Sequence, residues 1–146
     1  MGDPMTEEAE KPRWQFRLDN FSRAYFLLRA GIDELSEGKV SQLEREGIIQ
    51  RFEYTWELAW KTLSDFIAFE GIVVSPVTPR AVIRAAFEAG VISRGSDWMS
   101  ALDDRNKMSH TYNFKVFEAV IEQIQSSYLS LFGELYESLT ARALLE

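Results

Sequence analysis

The sequence predicts an all-α protein, an up-and-down bundle of about five helices in one domain. Apolar residues recur at alternating spacings of three and four in three long segments, which is typical of one buried helix face. Ser41 and Asn113, which have helix-capping chemistry, stand where the second and third of these segments begin. The only β-branched run, "IVVSPVTP" over residues 72–79, has no second strand to pair with, so we expect an extended connection there. These patterns together indicate a helical bundle.

The first helix is expected over residues 13–37. Its apolar face consists of Trp14, Leu18, Phe21, Tyr25, Leu28, Ile32 and Leu35. The segment "EGKVS" ends it, and Ser41 followed three residues later by Glu44 predicts a capping box for the second helix. Gly71 is expected to cap the end of that helix.

The second helix has apolar residues around much of its circumference. Its main face carries Ile49, Phe52, Trp56, Ala59, Leu63 and Phe66, with Trp60 and Ile67 widening it. Tyr54 and Leu58 lie off that face. A helix with two apolar faces lies in the bundle centre or at a subunit interface, so we expect a homodimer.

The remaining helices follow from local signals. Thr78 and Pro79 predict the start of a third helix that stops at Gly90, and Ser96 predicts the start of a fourth over residues 97–108. The fifth is expected after Asn113, and its apolar face carries Phe117, Ile121, Ile124, Tyr128, Leu131 and Leu135. We expect residues 1–12 to be a disordered or expression-derived tail and residues 13–146 to form the single domain.

Composition excludes several classes of function. The chain has no cysteine and one histidine, which excludes disulfides and thiolate chemistry and argues against a zinc enzyme, so no metal site or cofactor is expected. No apolar run is long enough to span a bilayer, and the acidic N-terminus has no apolar signal region, so a cytoplasmic location is expected.

The net charge of -7 argues against general binding to nucleic acid. Residues 79–115 nevertheless carry six basic against four acidic residues, which suits either a phosphate site or a solvated face.

The segment "RFEYTWELAWKTL" places polar and aromatic side chains side by side. Glu53, Glu57 and Lys61 are spaced by four and share one helical face, next to Trp56 and Trp60. Two carboxylates and two indoles can bind a nucleobase or another polar ligand. The alternative is a solvated face with a favourable Glu57–Lys61 pair beside core tryptophans.

The segment "ALDDRNKMSHTYNF", residues 101–114, holds the only histidine of the chain, His110. On an uninterrupted helix Arg105 and His110 lie about 140° apart and do not face one target. If the helix stops near Ser109 and the chain then runs extended, Arg105, His110 and Tyr112 can converge on one anion. Arginine binds phosphate oxygens and histidine exchanges protons near neutral pH, which suits metal-independent RNA cleavage by the 2′-hydroxyl. The alternative is a basic helix end whose side chains satisfy the last carbonyls.

The spacing of Arg105, His110 and Tyr112 resembles the arginine–X4–histidine–X–tyrosine signature of HEPN-domain proteins. Three separate segments, "RFEYTWELAWKTL", "TPRAVIRAAFEAGVI" and "DDRNKMSHTY", together resemble the nucleotidyltransferase substrate-binding protein family over about residues 14–139. Members are small helical proteins encoded beside a minimal nucleotidyltransferase. The resemblance implies a HEPN-like bundle and that partner.

Two functions come with this resemblance. In one, the protein is the toxin of a toxin–antitoxin pair, a ribonuclease with Arg105 and His110 as catalytic residues, RNA as substrate and Tyr112 as the nucleotidylation target. In the other, it is a non-catalytic subunit that presents substrate to the transferase. Asn106, next to the arginine, also matches the usual pattern of the ribonuclease. Across the two functions, the supporting or substrate-binding residues are Asp104, Asn106, Glu53, Glu57, Trp60 and Lys61. Nucleotidyl transfer needs a glycine–serine turn followed by two closely spaced aspartates that hold magnesium. The nearest string, "RGSDWMSALDD", lacks that form because a helix rather than a strand follows it, so the chain itself is not expected to be the transferase.

Overall fold

The computed structural model describes residues 11–38, 40–110 and 112–145, and every regular element within them is helical. The helices are α1 (Arg13–Ser36), α2 (Gln42–Phe69), α3 (Pro79–Glu88), α4 (Gly95–His110), α5 (Phe114–Gln123) and α6 (Leu129–Leu144). A π-helical turn, Ile124–Tyr128, joins α5 to α6 without a break. The described residues therefore form five helical rods, which confirms the predicted all-α bundle.

The predicted start and end of α2 are both confirmed. The hydroxyl of Ser41 accepts a hydrogen bond from the Glu44 amide at 3.2 Å, and the Glu44 carboxylate accepts one from the Ser41 amide at 3.1 Å. At the other end Gly71 has a φ of 85°, which only glycine adopts without strain. This conformation lets the amide of Ile72 donate to the carbonyl of Ile67 at 2.9 Å, so the last carbonyls of α2 are satisfied.

The starts of α3 and α5 follow the sequence signals as well. The Thr78 hydroxyl accepts a hydrogen bond from the Ala81 amide, and Pro79 is the first residue of α3. The side chain of Asn113 accepts from the amides of Lys115 and Val116 at 2.9 and 3.3 Å. These side chains replace hydrogen bonds that the first turn of a helix cannot make internally.

Both predicted ends of α4 are wrong. The helix begins at Gly95 rather than after a Ser96 cap, and the Arg94 carbonyl accepts its first hydrogen bond, from the Trp98 amide at 3.0 Å. The helix also continues two residues past the predicted end at Met108, so that His110 is still helical. No glycine or proline follows Arg105 within α4, and the Ser109 hydroxyl donates to the Arg105 carbonyl inside the last turn, so nothing local ends the helix earlier.

Packing fixes α4 against the rest of the bundle. Helices α1 and α2 pack along each other, α6 returns against α1, and α3 lies between α2 and α4. Trp98 of α4 is buried, with its ring centroid 5.7 Å from Trp56 of α2 and 5.9 Å from Phe132 of α6. These ring contacts hold the N-terminal half of α4 in the core and leave its C-terminal turns at the surface.

Two further predictions concern the N-terminal tail and the second apolar face of α2. Most of the predicted tail, residues 1–12, lies outside the described residues, and Pro12 directly precedes α1. Of the two apolar residues off the main face of α2, Tyr54 is exposed and Leu58 is half-buried. None of the described helices has the length and apolarity needed to cross a membrane.

Candidate functional site

Arg105 lies in the penultimate turn of α4 and faces the middle of α2. Its Nη2 is 3.7 Å from Oε2 of Glu57, and both side chains are about one-third exposed. Its Nε is buried and has no hydrogen-bond partner among the described residues. An unpaired buried donor is costly, so an anion that reached this guanidinium would satisfy a group that the fold leaves unpaired.

The Glu57 carboxylate interacts with three neighbouring side chains, Arg105, Trp60 and Lys61. It accepts a hydrogen bond from Nε1 of Trp60 at 3.1 Å and pairs with Nζ of Lys61, also at 3.1 Å. Burial by itself would raise the pKa of Glu57, but the hydrogen bonds from Trp60 and Lys61 and the charges of Lys61 and Arg105 outweigh it and lower the pKa. Glu57 is therefore ionised at neutral pH, with cations on two sides.

Glu53 lies one helical turn before Glu57 in a different electrostatic environment. Burial raises its pKa, and the nearby charge of Arg105 only partly offsets this effect. The two carboxylates that the sequence placed on one face of α2 thus shift in opposite directions, and Arg105 favours the charged form of both.

The two tryptophans of α2 have separate roles. Trp56 is fully buried against Trp98, so it belongs to the core and is removed from the predicted indole pair. Trp60 is half-buried and holds the Glu57 carboxylate through its indole N–H. Any polar ligand on this face would meet Trp60, Glu57 and Lys61.

The residues on either side of Arg105 have different surroundings from it. Asp104 accepts a hydrogen bond of 2.5 Å from the hydroxyl of Tyr128, in the π-helical turn. Burial, followed by the hydrogen bond and the charge of Asp104, raises the pKa of Tyr128 far above its ordinary value. Asn106 is exposed. Sequence reasoning did not identify Tyr128 as a site residue, because its spacing fits the core face of the last helix.

His110 is the last residue of α4 and is exposed. Because the helix is continuous from Arg105 to His110, the two side chains leave it about 140° apart. The extended conformation that would have brought them together does not include His110, and Thr111 lies outside the described residues. One chain therefore does not present Arg105 and His110 on a common helix face.

Tyr112 follows α4 and lies against the start of α2. Its side chain is 85% exposed, yet its hydroxyl donates a hydrogen bond of 2.8 Å to Oε1 of Glu46. This hydrogen bond and the charge of Glu46 raise the pKa of Tyr112. The ring also meets Phe117 edge-on, with centroids 5.4 Å apart. Glu46 is a site residue that the sequence did not reveal, because the contact joins positions 66 residues apart.

An open hollow of about 450 Å³ lies beside the Tyr112 ring. Its walls are formed by Gln42, Glu46, Tyr112, Phe114 and Phe117. Aromatic faces with a carboxylate and an amide at the edge suit a planar, hydrogen-bonding group such as a nucleobase.

The side chains that could ligate a metal ion are dispersed over the described part of the chain. Within residues 11–38, 40–110 and 112–145, no three or more histidine, cysteine, aspartate or glutamate side chains are grouped so that they can hold a metal ion. The candidate residues offer acid–base and cationic groups: an arginine, a lysine, a histidine, three glutamates and a tyrosine.

A family model and a curated relative match this chain. The family described as "Nucleotidyltransferase substrate binding protein like" matches residues 16–141. A Haemophilus influenzae protein named "Probable ribonuclease HepT" is 32% identical over 91 residues, which make up 57% of this chain and 62% of that protein. The match thus spans less than two thirds of that relative.

Two solved structures share the helical fold. One, from Haemophilus influenzae and described as the fold of a substrate-binding domain of a nucleotidyltransferase, superposes with a TM-score of 0.74 at 26% identity, over 84% of this chain and 98% of that one. The other, a crystal structure of a Thermus thermophilus protein, gives a TM-score of 0.61 at 28% identity, over 89% and 98% of the two chains.

Proposed function

The chain belongs to the nucleotidyltransferase substrate binding protein like family, and from this membership we propose that it is the toxin partner of a separate minimal nucleotidyltransferase. In this proposal the protein cleaves RNA without a metal, through Arg105 and His110, and Tyr112 is the residue that the partner nucleotidylates. The observation that carries it is the placement of these three residues on the last turns of α4 and directly after it, with His110 and Tyr112 exposed. The name of the relative, a probable ribonuclease, agrees with it.

The chemistry requires a proton acceptor and a cation at one phosphodiester. His110 takes the proton of the attacking 2′-hydroxyl, or gives one to the leaving 5′-oxygen, and histidine is suited to both near neutral pH. Arg105 stabilises the charge that develops on the phosphate oxygens. Its 3.7 Å contact with Glu57 is a loose ion pair, so the guanidinium can turn to a phosphate at small cost.

In this proposal the active site is shared by two chains. Arg105 and His110 diverge on one continuous helix, which supports a target bound between two copies of α4. We place the active site in a cleft of a homodimer, where Arg105 of one chain meets the His110 of its partner across the two-fold axis. This is the mechanistic use of the dimer that the two apolar faces of α2 predict.

The test is RNA cleavage by the purified protein in excess EDTA, with a structured and an unstructured RNA as substrates. We expect cleavage by the wild type and a loss of about 10²-fold or more in Arg105→Ala and in His110→Ala. Arg29→Ala, which changes an exposed arginine of α1, is the matched control and should cleave like the wild type. Circular dichroism of all variants confirms that they are folded. Absence of wild-type cleavage, or equal cleavage by the three variants, would contradict the ribonuclease.

A second candidate function is a non-catalytic subunit that binds a small substrate for the transferase. It is favoured by the partly exposed cluster of Glu57, Trp60 and Lys61, and it agrees with the description of the Haemophilus influenzae structure. In that case Trp60→Ala and Glu57→Gln should lower transfer by the partner to a small acceptor, while His110→Ala should not. A matching loss in His110→Ala would argue against this function.

A further inference from the structure

The hydrogen bond between Tyr112 and Glu46 crosses from the segment after α4 to the first turns of α2. The donor is the phenolic hydroxyl, the acceptor is Oε1 of Glu46, and the two oxygens are 2.8 Å apart. Among the described residues no ion pair joins Glu46 to a cation, and the neighbouring Arg45 is bound to Glu118 through two hydrogen bonds of 3.2 and 2.9 Å. Glu46 thus holds an un-neutralised carboxylate against an exposed nucleophile.

We propose that Glu46 is the general base that takes the proton of Tyr112 when this tyrosine is nucleotidylated. The inference rests on the proposed function, in which the partner transfers a nucleoside monophosphate from a nucleoside triphosphate to Tyr112. The Oη–H bond of Tyr112 breaks and an Oη–Pα bond forms. The bond from Pα to the bridging oxygen of the β-phosphate breaks, and its electron pair leaves with pyrophosphate. The proton passes to Glu46 and from there to water.

The protonation state of Tyr112 explains the need for a base. Its contact with Glu46 raises the pKa of Tyr112, so the phenol is fully protonated at neutral pH and no phenolate is present to attack. A carboxylate already within hydrogen-bond distance can accept the proton as the new bond forms, as aspartate does for the substrate hydroxyl in protein kinases.

The arrangement divides the reaction between two proteins. The partner holds the triphosphate and its metal ion, while the acceptor chain supplies both the nucleophile and the base. Tyr112 is exposed, and the hollow of Gln42, Glu46, Tyr112, Phe114 and Phe117 opens beside it, so a nucleotide held by another protein has access. A nucleotide bound by the partner would therefore meet a Tyr112 hydroxyl that is already hydrogen-bonded to its general base, Glu46.

The experiment measures nucleotidylation of this chain by its purified partner with magnesium and ATP, as the rate of mass gain in intact-protein spectra. Glu46→Gln keeps an oxygen that accepts the hydrogen bond but cannot take the proton, so we expect its rate to fall by about 10²-fold or more. Tyr112→Phe should not gain mass. Glu70→Gln, which changes an exposed glutamate just after the same helix, is the matched control and should react at the wild-type rate.

A second variant distinguishes two roles of Glu46: accepting the proton of Tyr112, or only holding the segment that carries Tyr112 in place. Glu46→Ala removes both functions, and added formate should restore part of its rate, whereas chloride at equal ionic strength should not. Glu70→Ala and the wild type should show no gain with formate. A wild-type rate in Glu46→Gln, or a slow Glu46→Ala that formate does not rescue, would overturn the role of Glu46 as base while leaving Tyr112 as the target. A wild type that gains no mass would remove the proposed modification itself, and with it this inference.

Discussion

The hydroxyl of Tyr128 donates a hydrogen bond of 2.5 Å to Oδ2 of Asp104, the residue that precedes Arg105 in α4. Tyr128 is only 2% exposed and lies in the π-helical turn between α5 and α6. Asp104 is therefore tied to the last helical rod while Arg105 faces α2 through Glu57. The hydrogen bond from Tyr128 thus holds the C-terminal half of α4 against the last helical rod, while Arg105 faces α2 through a loose ion pair.

Tyr128→Phe should destabilise the fold without changing its shape. The substitution leaves the ring in the core and removes the hydroxyl that donates to Asp104, so the carboxylate loses a hydrogen bond. We expect the free energy of unfolding to fall by about 1–3 kcal/mol. Urea unfolding followed by circular dichroism measures it, with Tyr54→Phe, at an exposed position of α2, as the control that should change little. Equal stability of the two variants would mean that the bond contributes nothing net.

Alkaline pH should weaken the fold through the same tyrosine. The pKa of Tyr128 is raised in the folded protein, chiefly by burial and then by Asp104. Its contribution to stability is therefore complete below the unfolded pKa of about 10 and is lost as pH rises toward the folded value. Above pH ~10 the free energy of unfolding should fall by up to about 1.4 kcal/mol per pH unit from this residue. The wild type should lose more stability between pH 9 and 11 than Tyr128→Phe, and parallel curves would contradict the assignment.

Neutralising Glu53 should stabilise the protein slightly at neutral pH. Burial raises the pKa of Glu53, so the folded state favours the protonated form, and the ionised form at pH 7 costs stability. Glu53→Gln keeps the shape without the charge, and we expect a gain within about 0.5 kcal/mol. The gain should vanish below about pH 4, where the carboxyl is protonated in both states.

Arg105 provides a check on this prediction. Its charge partly compensates Glu53, so the gain from Glu53→Gln should be larger in an Arg105→Ala background than in the wild type. Urea unfolding of the four proteins of this double-mutant cycle measures the coupling between the two residues. Purely additive changes would show that Arg105 does not act on Glu53.

Much of the fold could be predicted because most of its helix starts and ends are set by residues close in sequence. Ser41, Thr78 and Asn113 each satisfy amides within three residues of themselves, and Gly71 supplies a backbone conformation that other residues avoid. Such signals depend on neighbours in the chain and can be read without the tertiary structure.

The start of α4 was predicted two residues too late, and the contacts that surround it are mostly distant in sequence. Arg94, which precedes the helix, binds Glu134 and Ser130 at 2.9 Å and Ser127 at 3.1 Å, all on the last helical rod. These contacts, together with a local hydrogen bond from Arg94 to Asp97 at 3.0 Å, hold the residue that precedes α4. The π-helical turn could not be predicted either, because the apolar spacings of four and three around it also suit an uninterrupted α-helix.

The candidate site was predicted by residue type but not by its contacts. Arg105, His110 and Tyr112 stand out in the sequence, and Glu57, Trp60 and Lys61 form the predicted polar cluster. The partners Glu46 and Tyr128 are separated from their targets by 66 and 24 residues, and no periodicity links such positions. The divergence of Arg105 and His110 followed from helix geometry once the helix was known to reach His110.

That divergence leads to a prediction that separates an active site within one chain from a site shared by two. Arg105→Ala and His110→Ala should each lack ribonuclease activity, but mixing the two under conditions that exchange subunits should restore it. In a mixed dimer one arginine and one histidine remain, on different chains, and together they complete one of the two shared sites. Because random exchange gives mixed dimers in half of the sample, activity should recover to about a quarter of the wild-type value. A site built within one chain would show no recovery, since every chain carries a defect.

Mixing either variant with the Arg105→Ala/His110→Ala double variant should restore nothing, and light scattering should show a dimer in every sample. A monomer that cleaves RNA would contradict the shared site directly.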